Sequence, residues 1–243
     1  MPFDSSPLRR LSGSVLLLIL CIRPNARAAD VSIQVGSSAR DLAFARYIAA
    51  HGQRDPFATS EPVGVFIEAS LPELYKSAAL LAVRRQDEND GGQLDVLQIA
   101  GDGTVVEEVL ERYFALRQQF DAQPLSSVAI TPDNYKFRFA GEVKTGGGAA
   151  YVYDIAPKKN RRGLVVGQLW MDSETGREVV LSGHSTGIST AGGRFDVVRD
   201  TTLMNGSAFA RVTHVSFAVP LLGRAEVVIT EIVATPEVTA QPY

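Results

Sequence analysis

The chain has 243 residues, of which 45% are hydrophobic and 21% charged, and its formal net charge is −3 at pH 7. A mildly acidic chain of this kind has no electrostatic surface for nucleic acid or for anionic lipid headgroups. Its length predicts one sizeable domain of the all-β or α+β kind.

The N-terminus has the features of a secretory signal peptide. Two arginines precede an apolar run, Val15 to Ile22, that is too short to span a bilayer, and a small-x-small motif ends at Ala28. We therefore expect a signal peptide over 1–28, a mature charge of −6 once four arginines and one aspartate are removed, and a periplasmic or secreted protein. Lipidation of Cys21 is the alternative, although the preceding residue, Leu20, is not small.

Chemistry-bearing residues are sparse in the mature sequence. Cys21 is the only cysteine of the chain, so cleavage would leave neither a disulfide nor a thiol nucleophile. His51, His184 and His214 lack the spacing of a zinc site, and no nucleophile elbow surrounds Ser185. We expect no cofactor, no bound metal and no enzymatic activity.

Residues 29–62 are predicted to contain a short amphipathic helix, Ser38 to Ala50, and a connector. A single β-rich domain is expected over 63–235, and a loose tail over 236–243. Three strands open this domain, with a tight turn of Asp and Gly residues between the second and the third. They are Val63 to Ala69, Ala78 to Arg85 and Gln93 to Ala100.

One long helix is predicted from Val105 to Phe120. Thr104 is its expected N-cap, and Glu107 three residues later completes a capping box. Tyr113 and Phe114 belong to a broad apolar stripe, so this helix is expected to lie on the concave face of the sheet.

Seven further segments read as strands, several with alternating apolar and polar residues, which is typical of a strand with one buried face. A polar segment, 182–193, separates the first four from the last three. The seven are Tyr135–Val143, Ala150–Pro157, Leu164–Asp172, Arg177–Leu181, Phe195–Thr202, Ser207–Val219 and Leu222–Ala234. The predicted fold is therefore α+β and strongly β-rich: a curved antiparallel sheet, or partly open barrel, folded over one long helix.

Four motifs carry a resemblance to known proteins: Glu68–Leu74, Ile130–Arg138, Ile155–Lys159 and Gly167–Gly176. Together they resemble a group of exported bacterial proteins of uncharacterised role. The last two also resemble the outer-membrane lipoprotein-sorting superfamily, which is LolA-like and RseB-like. That resemblance implies a partly open sheet around helices, with a hydrophobic cavity that holds acyl chains or binds a partner protein. The shared motifs are structural, so the sorting function does not follow from them.

The alternating residues predict one apolar face of the sheet. That face is either an ordinary core closed by the helix or a pocket for an apolar ligand. The candidate cavity residues are Phe66, Leu97, Ile99, Tyr113, Phe114, Tyr135, Phe137, Phe139, Tyr153, Ile155, Leu169, Met171 and Phe217.

Two features are candidates for contact with a protein partner. Trp170 has the opposite parity to Leu169 and Met171, which places it on the other face of the sheet. The second feature is the only basic cluster of the chain, on one hairpin turn: Lys158, Lys159, Arg161 and Arg162.

The leading functional hypothesis is an exported cell-envelope protein that binds a hydrophobic or lipidic ligand between sheet and helix, with a role in lipid or lipoprotein handling. The alternative is a protein-interaction or sensor module with a closed core. A hydrolase ranks third. No nucleic-acid partner and no integral membrane segment are expected.

Overall fold

Ten strands follow one another along the chain and form a single antiparallel sheet. All ten predicted strands are present, and most are longer than predicted. The strands are β1 (Val63–Leu71), β2 (Lys76–Asp87), β3 (Asp90–Gly101), β4 (Tyr135–Thr145), β5 (Gly148–Pro157), β6 (Val165–Asp172), β7 (Glu178–Ser185), β8 (Asp196–Met204), β9 (Ser207–Val219) and β10 (Gly223–Val233).

The order across the sheet is β3-β2-β1-β10-β9-β8-β7-β6-β5-β4. Each strand therefore pairs with its neighbour in sequence, except that β1 also pairs with β10. Because β3 and β4 lie at the two ends of this order, they are the edges of the sheet. The strongly β-rich, antiparallel class predicted from the sequence is confirmed.

This computed structural model describes residues 37–51, 62–87, 90–121, 123–145, 148–159, 161, 163–186, 194–204 and 207–233. The predicted signal peptide, most of the predicted connector, Arg162 and the predicted tail lie outside these residues. All the described residues belong to one compact unit, Val35–Tyr243. The first residues of the predicted polar segment 182–193 extend β7 to Ser185.

The N-terminal helix spans Ser37–His51, within one residue of the predicted limits. The central helix has three consecutive segments: Gly103–Val105, the π-helical turn Val106–Leu110, and Glu111–Asp121. Its longest α-helical segment has 11 residues, so the prediction of one long helix is wrong. A 3-10 turn at Pro72–Leu74 and a short helix at Leu125–Val128 complete the helical elements among the described residues.

The N-cap of the central helix is Asp102, and not Thr104 as predicted. Asp102 has an extended backbone, and its carboxylate accepts a hydrogen bond from the Thr104 N–H at 2.9 Å, which satisfies one of the free donors of the first turn. The Thr104 hydroxyl lies 3.1 Å from the Lys76 ammonium instead. Burial acts to raise the pKa of Asp102, but the hydrogen bonds from Lys76 and Thr104 outweigh it and lower that pKa.

Two separate hydrophobic clusters cover one face of the sheet, which we call the inner face. The first lies beneath the central helix and joins residues of β1, β2, β9 and β10 to Val105, Val109 and Leu110. The second lies beneath the N-terminal helix and joins Ala43 and Tyr47 to residues of β4–β7. Two helices therefore cover the inner face, where the sequence predicted one.

A close contact at the turn between β6 and β7 fixes the N-terminal helix. Gly176 has φ +70°, and a Cβ atom there would lie 2.4 Å from the Ala43 carbonyl oxygen and 2.9 Å from the Tyr47 nitrogen. The Arg46 guanidinium donates to the Glu174 carbonyl in the same turn. The Tyr47 hydroxyl donates to the Ile130 carbonyl at 2.9 Å. Together these contacts seat the helix directly on the sheet.

Gly176→Ala should destabilise the protein by roughly 1–3 kcal/mol, because it combines a left-handed backbone with a clash against the N-terminal helix. Urea unfolding followed by circular dichroism measures this. Gly103→Ala is the matched control, since nothing lies within 4 Å of its added Cβ. Equal stabilities of the two variants would contradict the close seating of the helix.

Candidate functional site

The aromatic face predicted on β4 and β5 exists, and the N-terminal helix covers it. The Phe44 ring lies 5.1 Å from the Phe137 ring and 5.4 Å from the Tyr153 ring, centroid to centroid. Tyr47 is fully buried beside them. The predicted cavity residues that are buried in this second cluster are Tyr135, Tyr153, Ile155, Leu169 and Met171, with Phe137 packed against it.

Three other predicted cavity residues lie in the first cluster instead. Phe217 is buried there, and Tyr113 and Phe114 pack against it. The sequence placed all of these with the β4–β5 aromatics in one space. That arrangement is wrong, because the central helix packs on β1, β2 and β10, which lie in the other half of the sheet.

Phe66 was predicted to face inward but lies on the opposite, outer face. The residues on either side of it, Val65 and Ile67, are buried, and Phe66 is 40% exposed. Since successive side chains of a strand point to opposite faces, the burial of its neighbours places Phe66 outside. Leu97 and Ile99 were also predicted to line a cavity, and both are exposed on the edge strand β3.

Phe139 lies near the opposite edge of the sheet and is partly exposed. Its ring contacts those of Tyr151 and Tyr153, and the Arg40 guanidinium lies 4.9 Å above its centroid. The N-terminal helix therefore extends over the rim of the aromatic cluster as well as its centre.

The two predicted partner-contact features have different environments. Trp170 lies on the outer face, as its parity predicted, because its neighbours Leu169 and Met171 are buried on the inner face. It is only partly exposed, and its Nε1 atom is buried with no hydrogen-bond partner among the described residues. In the basic turn, Lys158, Lys159 and Arg161 are exposed.

Charged side chains of β2 and β7–β10 also lie on the inner face. Glu231 on β10 receives the Arg84 Nη1 at 2.7 Å and the Arg211 Nη1 at 3.5 Å. The Arg199 Nε lies 2.7 Å from the Glu178 carboxylate. Both Arg211 and Glu231 are buried. We call these five residues the polar seam.

Two residues of the polar seam, Glu178 and Arg199, act electrostatically on Tyr47 of the N-terminal helix. Burial raises the pKa of the Tyr47 phenol, Glu178 raises it further, and Arg199 opposes both. Each carboxylate of the seam is an ion-pair partner of arginine, an arrangement that holds charges in place. The sequence analysis did not predict the polar seam. Arg211 and Glu231 could have indicated it, because they are charged residues at otherwise apolar, inward-facing positions of β9 and β10.

The edge strand β3 carries the most exposed apolar segment of the sheet. Every residue from Val96 to Ala100 is exposed, and Leu97 retains 63% of its accessible surface. Among the described residues, β3 pairs with β2 alone. Phe66 and Leu81 continue the apolar surface onto the outer face of β1 and β2, where they are paired with each other. We call Val96, Leu97, Ile99, Phe66 and Leu81 the β3 surface.

A β-bulge lies in the middle of β3. Gln98 is opposite Leu81 and Val96 is opposite Ala82, so Leu97 has no partner in β2. Bulges commonly end or redirect strand pairing. Here the bulge leaves the strand extended, with paired residues on both sides of Leu97.

The other edge strand, β4, is protected in the ways that natural edge strands commonly are. Its side chains include Lys136, Arg138 and Lys144, and a register shift falls between Phe139 and Gly141. Arg138 pairs with Asp154 at 2.6 Å. By contrast, β3 has no charged residue between Asp95 and Asp102.

Neither a metal centre nor a membrane-spanning helix is found within the described ranges. No three His, Cys, Asp or Glu side chains there are grouped to hold a metal ion. No helix there is both long and apolar enough to cross a bilayer.

No family model matches the sequence, and no curated protein matches it. Among solved structures, the chain is similar to that of MucB in complex with MucA(peri), with 13% identity, a TM-score of 0.24, and coverage of 82% of this chain and 94% of that one. A conserved hot dog fold protein of unknown function from Alicyclobacillus acidocaldarius has 11% identity and a TM-score of 0.19, with coverage of 82% and 87%. Both likenesses are weak, and the predicted superfamily stays a prediction.

Glu231→Gln should lower the free energy of unfolding by roughly 3–5 kcal/mol, because it removes the carboxylate that two arginines of the inner face contact. Glu108→Gln is the matched control: Glu108 also lies 2.7 Å from an arginine, Arg112, but on an exposed helix surface. That change should cost at most about 0.5 kcal/mol. Similar losses for both, measured by urea unfolding, would refute a structural role for the seam.

Stability should fall above about pH 10, the ordinary pKa of tyrosine. The unfolded chain then ionises Tyr47 while the folded protein keeps it neutral, so the stabilising difference present below pH 10 is lost as the pH rises. Burial also raises the pKa values of Tyr135 and Tyr153, so Tyr47→Phe should reduce this loss without removing it. At pH 7 the same change should cost about 1 kcal/mol for the lost hydrogen bond. An unchanged alkaline slope in unfolding curves would contradict this account.

Proposed function

We propose that this chain is a non-enzymatic interaction module of the cell envelope that binds a strand of a protein partner along β3. The single observation that carries this proposal is the exposed, uncharged edge from Val96 to Ala100. An edge strand presents a row of main-chain N–H and C=O groups, and an added strand can pair with them.

The close packing of the inner face supports this function over storage of an apolar ligand. A ligand between sheet and helix would have to replace the contacts of Phe44 with Phe137 and Tyr153. It would also have to displace the fully buried Tyr47, whose hydroxyl is bonded to the Ile130 carbonyl. Ligand binding in that space therefore requires the N-terminal helix to leave the sheet.

The composition of the β3 surface supports a protein partner. Apolar side chains lie on both sides of the exposed main chain: Val96 and Ile99 on the inner face, and Leu81 and Phe66 on the outer face. Leu97 adds an exposed apolar side chain at the bulge. Main-chain pairing supplies affinity in strand addition, and alternate side chains supply specificity. A partner strand with apolar residues on both faces fits this edge.

The cell-envelope location rests on the predicted signal peptide. A charged start, a short apolar run and a cleavage motif are the sequence features that predict export. The lipoprotein alternative at Cys21 would add a membrane anchor without changing the β3 surface.

A photo-crosslinking amino acid in place of Leu97 should capture a protein in the cell envelope of the producing bacterium. The matched control carries the same amino acid in place of Leu221, an exposed leucine in the turn between β9 and β10. We expect protein adducts at position 97 that exceed those at position 221 and that are lost when Ile99→Lys is added, because a lysine at an edge opposes strand addition.

Lipid analysis of the same purified protein tests the competing function. The proposal expects no stoichiometric acyl chain in an organic extract. Stoichiometric lipid that is lost in a folded Phe137→Asp variant, together with equal crosslinking at positions 97 and 221, would overturn the proposal in favour of a lipid carrier.

A further inference from the structure

We infer that the strand received by β3 is the β3 of a second copy of this chain, paired antiparallel about a two-fold axis between Leu97 and Gln98. This inference rests on the proposed function and names its partner. It follows from the bulge, from the positions of the charges, and from the apolar side chains on the outer face.

The bulge makes the two halves of β3 mirror one another in the face that each side chain uses. Paired residues share a face, so Val96 and Ile99 lie on the inner face with Ala82 and Leu80, and Gln98 lies on the outer face with Leu81. Leu97 is the extra residue of the bulge and has no partner in β2. On either side of Leu97 and Gln98 the order of faces is the same: Val96 and Ile99 are inner, Asp95 and Ala100 outer, and Leu94 and Gly101 inner.

An antiparallel dimer requires that facing residues share a face. About the centre between Leu97 and Gln98, Val96 lies opposite Ile99 of the second copy, and Leu97 lies opposite Gln98 of the second copy. The pair Val96–Ile99 matches in face, as does Asp95 with Ala100 of the second copy. In a strand without a bulge, a two-fold axis between two consecutive residues would pair every residue with one on the opposite face of the sheet. The extra residue in the bulge of β3 therefore allows the axis to lie between Leu97 and Gln98.

Charge also favours this arrangement. Each Asp95 lies opposite an alanine and not opposite its own copy, so no like charges face each other across the new ladder. The Asp95 carboxylate already has the Arg85 Nε at 3.4 Å. Asp102 is bonded to Lys76 at the far end of the strand. The contact between the two copies is therefore uncharged at its centre and ion-paired at its ends.

The apolar outer face adds side-chain contact to the main-chain pairing. Phe66 and Leu81 lie on consecutive strands next to Leu97, and each is at least 40% exposed. Two-fold symmetry places the two Leu97 side chains beside each other at the centre of a doubled surface. Isologous dimers of this kind are the commonest soluble homo-oligomers.

Engineered cysteines test the register directly. In a Cys21→Ser background the chain has no other cysteine. The double variant V96C/I99C then places the thiol at position 96 of each copy opposite the thiol at position 99 of the other copy. Mild oxidation should give covalent dimers of twice the monomer mass. The control V96C/A100C has two thiols on the same strand, but each faces a residue other than cysteine, so it should remain largely monomeric.

Sedimentation of the unmodified protein provides the second measurement. We expect a concentration-dependent dimer that Leu97→Lys returns to the monomer mass and Leu221→Lys does not, with circular dichroism confirming that both variants fold. A monomer at all concentrations, or equal crosslinking of the two cysteine variants, overturns the two-fold dimer.

The two proposals fail in different ways. A monomeric protein whose position 97 still captures a different envelope protein would refute the second copy and keep the interaction function. A monomer with no preferential capture at position 97 would refute both.

Discussion

The structure depends on burial of one face of an open ten-stranded antiparallel sheet. Because a strand alternates its side chains between two faces, the inner face needs a cover, and two helices supply it. The central helix covers β1, β2 and β10, and the N-terminal helix covers β4–β7. The polar seam lies on the same face, where Glu231 forms ion pairs with both Arg84 and Arg211.

An open sheet also has two edges, and the chain treats them differently. Charged side chains and a bulge oppose further pairing at β4. At β3 the bulge instead lies within the exposed, uncharged segment from Val96 to Ala100. Edges that invite pairing are normally suppressed in natural proteins. The absence of such protection at β3, in a sheet whose other edge is protected, is therefore best explained by binding at β3. This makes β3, and not the aromatic face, the candidate binding site.

Local sequence rules predicted the strands and the N-terminal helix, and β9 begins and ends where alternation placed it. They failed where the answer depends on distant partners. Phe66, in contrast, could have been placed from the sequence, because Val65 and Ile67 belong to the apolar parity of β1 and Phe66 shares its parity with Gly64 and Glu68. The bulge at Leu97 depends on how β3 pairs with β2. Phe44 covers the aromatic face through contacts with Phe137 and Tyr153, which lie about a hundred positions later in the chain. Sequence reasoning therefore found the aromatic residues but not what covers them.

Hydrogen–deuterium exchange of the purified protein over a range of concentrations tests the central claim most directly. If β3 receives the β3 of a second copy, the amides of 94–101 should exchange more slowly as the concentration rises, while those of β4 should not change. Exchange in β3 that is independent of concentration, or slowing in β4 instead, would contradict pairing of two copies along β3.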